Sequence, residues 1–355
     1  MKYAQVLDIS PDGADLCLYS SRNPTRSFRS DGDTWKENKG PIPESVDALR
    51  VIKLSSWSPS YATKLPALPF YGSFFADGAA IYAGIPGVTE SRQSGTVHLI
   101  IDLKSGRMNE HFEIYHPEGI SFSYSATTNR TLLGLGYDPE RKRTDFLILV
   151  DSQNFREIGR APFSQNRSAA RESATGIATS LDRKTFAYGV DGRVIYRDAT
   201  DLSVIWDQPM TPSLKMWHAA ISPRGTLVAA SSNDGYLNGP PIKRVQEGYV
   251  GIFDASSGRQ ITRIFTDATE GIAISPDDRL LAVGQRMFMP GKTSGTQPTV
   301  LLFDIASGKT VATLVHDQFR EGGKEFLYAG VSVRFTPDGG HLISSGLNTK
   351  IWEIG

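Results

Sequence analysis

Six side chains with the chemistry of a site fall where apolar runs begin or end: His116, Glu118, Trp217, His218, Glu270 and His316. Imidazoles and carboxylates gathered on a polar cavity can hold a divalent cation or exchange protons near neutral pH. No two of them have ligand spacing along the chain, so only the fold can assemble a site from them. The plainer reading gives each histidine a bond to its own adjacent loop. A second set, Asp102, Asp151, Asp198, Asp254 and Asp304, ends apolar runs just before turns. Five carboxylates at one repeat position resemble a metal ring, but a short acidic side chain before a turn caps that turn, which is the reading adopted. There is no Gly-rich phosphate loop opening a helix, no Gly-x-Ser-x-Gly elbow, no His-Glu-x-x-His and no Cys-x-x-Cys. No catalytic residue is assigned and no cofactor or metal is expected. Asn129-Arg130-Thr131 and Asn166-Arg167-Ser168 match glycosylation acceptors, a triplet common by chance. The single cysteine, Cys17, sits in a strand pattern and reads as a buried, inert thiol.

The elements that would position these groups are short strands. Ile272-Ala273-Ile274 leads into Ser275-Pro276-Asp277-Asp278, and 280–284 follows. Val300 to Phe303 leads into Asp304-Ile305-Ala306-Ser307-Gly308, and 310–314 follows. Pro presets φ for a turn, Asp bonds its own backbone, and Gly takes positive φ, so each junction reads as a hairpin. Comparable units recur seven times, with approximate bounds 4–68, 69–115, 116–166, 172–212, 215–267, 268–317 and 326–355. A repeat of roughly 40 to 50 residues with four strands is the mark of a propeller, whose blades bury their faces on one another. The expectation is an all-β, single-domain, seven-bladed ring over residues 1–355. Its last unit ends at a third strand, so blade seven is either three-stranded or completed by residues upstream.

The Ser-Pro-Asp-Gly-like first turns and Asp-x-x-Ser-Gly-like second turns resemble those of WD40 and YVTN-type β-propellers over almost the whole chain. The Gly-His pair of strict WD40 repeats is absent, and only Ile351-Trp352-Glu353 resembles their Trp-Asp ending, so the looser bacterial-type propellers match better. The resemblance implies one of several roles: scaffold, ligand binder, lactonase or quinone-dependent dehydrogenase. Fold alone does not choose among them.

In such a ring the first strands line the central channel. Counting back from the first turns places Val6, Gly72, Gly176, His218 and Gly271 at one mouth, small residues leaving room there. The long links between second and third strands, 21–47, 85–95, 137–144, 232–248 and 286–298, emerge on that same face. They carry a rim of Trp35, Arg141, Arg143, Tyr236, Arg244 and Arg286, with Phe288 and Met289 as further apolar anchors. Long loops gathered on one face of a compact fold form a binding surface. The expected role is therefore a binding module holding a protein or small-molecule ligand on this face. The alternative is a metal-assisted hydrolase or quinone-dependent dehydrogenase with its site at the channel mouth.

The balance of 38 basic and 38 acidic residues argues against a nucleic-acid partner. No apolar run approaches the length of roughly 18 residues needed for a membrane span. A monomer is expected. The opening MKYAQVLDIS has no apolar leader, which places the chain in the cytoplasm by default, or in the periplasm or outside if a leader precedes it.

Overall fold

The computed structural model describes residues 3–21, 28–31, 34–37, 48–65, 69, 71–88, 94–114, 124–126, 131–138, 143–163, 177–190, 192–210, 215–233, 248–266, 269–285, 299–316, 320–321, 324–325, 331–346 and 349–354. They form strands and turns arranged as seven antiparallel blades around a channel. Blade one is β1 (Tyr3–Ile9), β2 (Asp15–Ser21), β5 (Ala48–Lys53) and β6 (Ser58–Lys64), with the separate hairpin β3 (Phe28–Asp31) and β4 (Thr34–Glu37) in its central link. Blade two is β7 (Tyr71–Phe74), β8 (Ala80–Val88), β9 (Ser94–Asp102) and β10 (Met108–Ile114). Blade three is β11 (Tyr124–Ala126), β12 (Thr131–Asp138), β13 (Arg143–Asp151) and β14 (Glu157–Pro162). Blade four is β15 (Ala178–Thr179), β16 (Thr185–Val190), β17 (Arg193–Asp198) and β18 (Val204–Pro209). Blade five is β19 (Lys215–Ile221), β20 (Leu227–Asn233), β21 (Tyr249–Asp254) and β22 (Gln260–Phe265). Blade six is β23 (Thr269–Ile274), β24 (Leu280–Gln285), β25 (Thr299–Asp304) and β26 (Thr310–Val315). A short hairpin, β27 (Arg320–Glu321) and β28 (Lys324–Glu325), precedes blade seven. That last blade has three strands: β29 (Ser332–Phe335), β30 (His341–Ser345) and β31 (Thr349–Glu353).

Apolar side chains pack between neighbouring blades at all seven junctions. Blades one and two share Leu7, Cys17, Tyr19, Phe74 and Ile81 among others. Among the described residues the junction of blades seven and one is the leanest, with Ile343 packed on Ile9, Leu16 and Leu18. Cys17 is fully buried between blades one and two, and burial together with the nearby Asp8 charge pushes its thiol pKa up, which leaves it inert.

The turns behave as their residue types dictate. In the first turns of blades one, four, six and seven a Ser or Thr hydroxyl donates to the Asp two residues on and accepts a backbone N–H, as at Ser10 (2.6 Å to Asp12 and 2.8 Å from Asp15) and Ser275 (2.6 Å to Asp277 and 2.8 Å from Leu280). In the second turns Asp102, Asp151, Asp198, Asp254 and Asp304 each accept N–H bonds from their own turn. The five carboxylates are caps. The Ser256 and Ser257 hydroxyls and the Ser257 N–H hold the Asp254 carboxyl down at about 2, below its ordinary 3.8. A depressed folded-state pKa adds stability above the ordinary value and loses it as pH falls toward the folded one. The urea midpoint of Asp254→Asn is thus expected to lie below wild type at pH 5 and to converge on it by pH about 2. A constant gap across that range would refute the assignment.

Two of the expected long inserts are corrected. In blade two the ladder runs on from Gly84↔His98 to Val88↔Ser94, and in blade three it reaches Asp138↔Arg143. Backbone pairing continues past the end of the apolar pattern there, so the links shrink to 89–93 and 139–142.

Candidate functional site

The backbone itself gives the equivalence of the inner strands. The N–H of Ser10, Phe75, Ser180, Ser222, Ser275 and Thr336 each bonds the carbonyl five residues on, so these six residues open equivalent turns. Two residues before them stand Asp8, Ser73, Ala178, Ala220, Ala273 and Arg334, and all six line one cavity of about 200 Å³ in the channel. Ile9, Leu181, Pro223 and Pro337 also line it, so the cavity lies toward the first turns and away from the link-bearing face. The column is small and uncharged except in blades one and seven, which hold Asp8 and Arg334.

A third charge enters from the turn of blade four. The fourth turn position has positive φ in every one of these blades and is glycine at Gly13, Gly78, Gly225 and Gly339. Blade four has Arg183 there (φ 61°), and blade six has Asp278 (φ 64°). A side chain in this left-handed region costs about 1 kcal/mol. Each non-glycine uses its side chain to bind another blade. Asp278 accepts from Thr226 of blade five at 2.6 Å. Arg183 is 4% exposed and crosses the channel to pair with Asp8, donating through Nη2, while Nη1 donates to Thr179 Oγ1 at 2.6 Å. Asp8 Oδ2 also accepts the Phe74 N–H of blade two at 2.9 Å. One carboxylate thus joins blades one, two and four.

Arg334 stands apart from this pair. Its Nη1 donates to the Val333 carbonyl at 2.8 Å, and among the described residues no carboxylate lies in ion-pair reach of it. By surface area it is exposed, yet protein encloses it deep in the ring. Both descriptions hold, because the surface it presents faces the channel rather than bulk solvent. Enclosure lowers its pKa from the ordinary guanidinium value, Asp8 opposes that shift and the Arg183 charge adds to it. A guanidinium stays protonated all the same.

The sequence-read residues fall elsewhere. His316 follows β26, is 1% exposed, and its Nε2 bonds Ser344 Oγ at 2.6 Å; the same oxygen accepts from Trp352 Nε1 at 2.7 Å. His218 lies on the inner strand β19, where its N–H donates to Ser231 Oγ at 3.1 Å. Trp217 and Glu270 lie on β19 and β23, Trp35 on β4, and Arg143 opens β13. His116, Glu118, Arg141, Tyr236, Arg244, Arg286, Phe288 and Met289 lie outside the described residues. Among the described residues no three His, Cys, Asp or Glu side chains converge on a metal position. Gly271 is glycine for a reason other than channel room, since a Cβ there would come 2.9 Å from the Val331 carbonyl oxygen of blade seven. Asp8, Arg183 and Arg334 were not among the residues singled out. Their signal was present as two charges in a column of small residues and an arginine in a glycine slot.

No family model and no curated protein matches the chain. Solved structures do. A structure of Kuenenia stuttgartiensis hydrazine synthase is similar at TM-score 0.59 and 14% identity, over 98% of this chain and 95% of that one. KlHsv2 with loop 6CD replaced by a Gly-Ser linker is similar at TM-score 0.59 and 10% identity, over 99% and 93%. A chain of the Mitotic Checkpoint Complex is similar at TM-score 0.60 and 14% identity, over 100% and 88%. At such identities the likeness is one of fold alone, that of a β-propeller.

Proposed function

We propose that this propeller is a binding module that holds a protein partner on its link-bearing face. The observation that supports it is the hairpin β3–β4, which folds within the 22–47 link of blade one, outside every blade sheet. Its four cross-strand pairs, from Phe28↔Glu37 to Asp31↔Thr34, give that link a structure of its own. A link needed only to join β2 to β5 has no use for a further hairpin, because those strands are adjacent in one sheet. Of the similar folds, one comes from a protein complex, which fits a role in assembly.

The test replaces 22–47 with a short Gly-Ser link. The variant is expected to keep its melting temperature within a few degrees, because no described blade core includes the hairpin. Proteins captured from a native extract by the wild type are expected to fall about tenfold or more with the variant. Equal capture by both proteins would overturn the assignment of this face.

A further inference from the structure

We infer that the channel holds a second site, for a small oxyanion, with Arg334 as its main donor and Arg183 beside it. This site lies toward the first turns, away from the link-bearing face, and stands independently of the preceding reading. Charge carries it first. The cavity lining holds two guanidinium groups and one carboxylate, and every other lining residue is uncharged. The sum is one uncompensated positive charge inside the ring.

Hydrogen-bond capacity carries it second. A guanidinium has five N–H donors in a fixed fork. Arg334 places one bond, to Val333, leaving most of its fork without a protein acceptor among the described residues. Arg183 is nearly fully buried and lines the same cavity, and its Nε has no acceptor among the described residues either. Unmet donors on charged groups at this depth are costly unless water or an anion meets them. An oxyanion supplies both the acceptors and the missing charge, and binds a guanidinium through two parallel bonds.

Size sets the class. About 200 Å³ is too small for the roughly 300 to 1,000 Å³ pockets that take drug-sized ligands and much larger than the roughly 30 Å³ of one water. Inorganic phosphate and short carboxylates fall between these limits.

The test is titration calorimetry of the full chain with inorganic phosphate and, separately, with acetate in a low-chloride buffer. One anion per chain is expected for the wild type and for Arg259→Gln, an exposed control on the outer turn of blade five. Arg334→Gln is expected to bind about tenfold more weakly or worse. Arg334→Lys, which keeps the charge and loses the fork, is the second variant and is expected to weaken binding less. Phosphate is expected to raise the melting temperature of the wild type and not of Arg334→Gln. If neither anion gives saturable binding, or if both Arg334 variants bind as wild type does, the site does not exist.

Discussion

Gly284→Ala is expected to remove about 3 kcal/mol or more of folding stability, the largest loss expected from adding a methyl group at any glycine among the described residues. Gly284 lies on β24, where a Cβ would sit 1.8 Å from the carbonyl oxygen of Val331 and 2.8 Å from its carbon. Val331 leads into β29 and is fully buried, so the obstacle is backbone held inside a core and not the yielding end of a side chain. Overpacking of side chains costs about 1–3 kcal/mol, and a backbone collision lies at or beyond the top of that range. Gly308→Ala is the control. Gly308 has positive φ (67°) and nothing within 4 Å of its Cβ position, so it pays only the left-handed cost of about 1 kcal/mol. Urea denaturation separates the two, and a Gly284→Ala loss no larger than that of Gly308→Ala would show that blades six and seven do not meet at this distance.

Asp8→Ala is expected to cost about 3–5 kcal/mol, because it strands the buried Arg183 charge beside Arg334. The partner change has a different sign in the second background. Arg183→Gly alone loses the pair, but on top of Asp8→Ala it removes the stranded charge and gives the φ of 61° the residue that fits it. The double variant is therefore expected to be more stable than Asp8→Ala alone, a coupling readable in a double-mutant cycle. If it is less stable, the pair across the channel does not carry the stability assigned to it.

The blades were legible because their turns are local. Ser-Pro-Asp-Gly and Asp-x-x-Ser-Gly encode hydrogen bonds within five residues, so each unit announces itself. Blade two shows the limit. Its turn opens at Phe75 and not Ala76, since no Ser marks the place, and the count back therefore names Gly72 where Tyr71 is the true equivalent. The channel charges were harder. Asp8 and Arg183 are 175 residues apart, and only closure of the ring brings them together. His316 illustrates the opposite error. Its position before blade seven suggested a mouth, but Ser344 and Trp352, on β30 and β31, draw its ring into the packing between blades. Nothing in the spacing of His316 alone encodes those two partners.

Blade seven meets blade one without a shared strand among the described residues, through the few apolar residues around Ile343 and the Gly13 turn against Pro337. A ring closed in this manner is a docked pair of surfaces tethered by the rest of the chain. Among the described residues its closure is an intramolecular association, governed by an effective concentration and a local affinity. The seam is then expected to open at a lower free energy than the blades it joins, which native-state hydrogen exchange would read as weaker protection there. An anion between Arg183 and Arg334 would act there as a keystone, since it touches blades four and seven while Asp8 holds blade one.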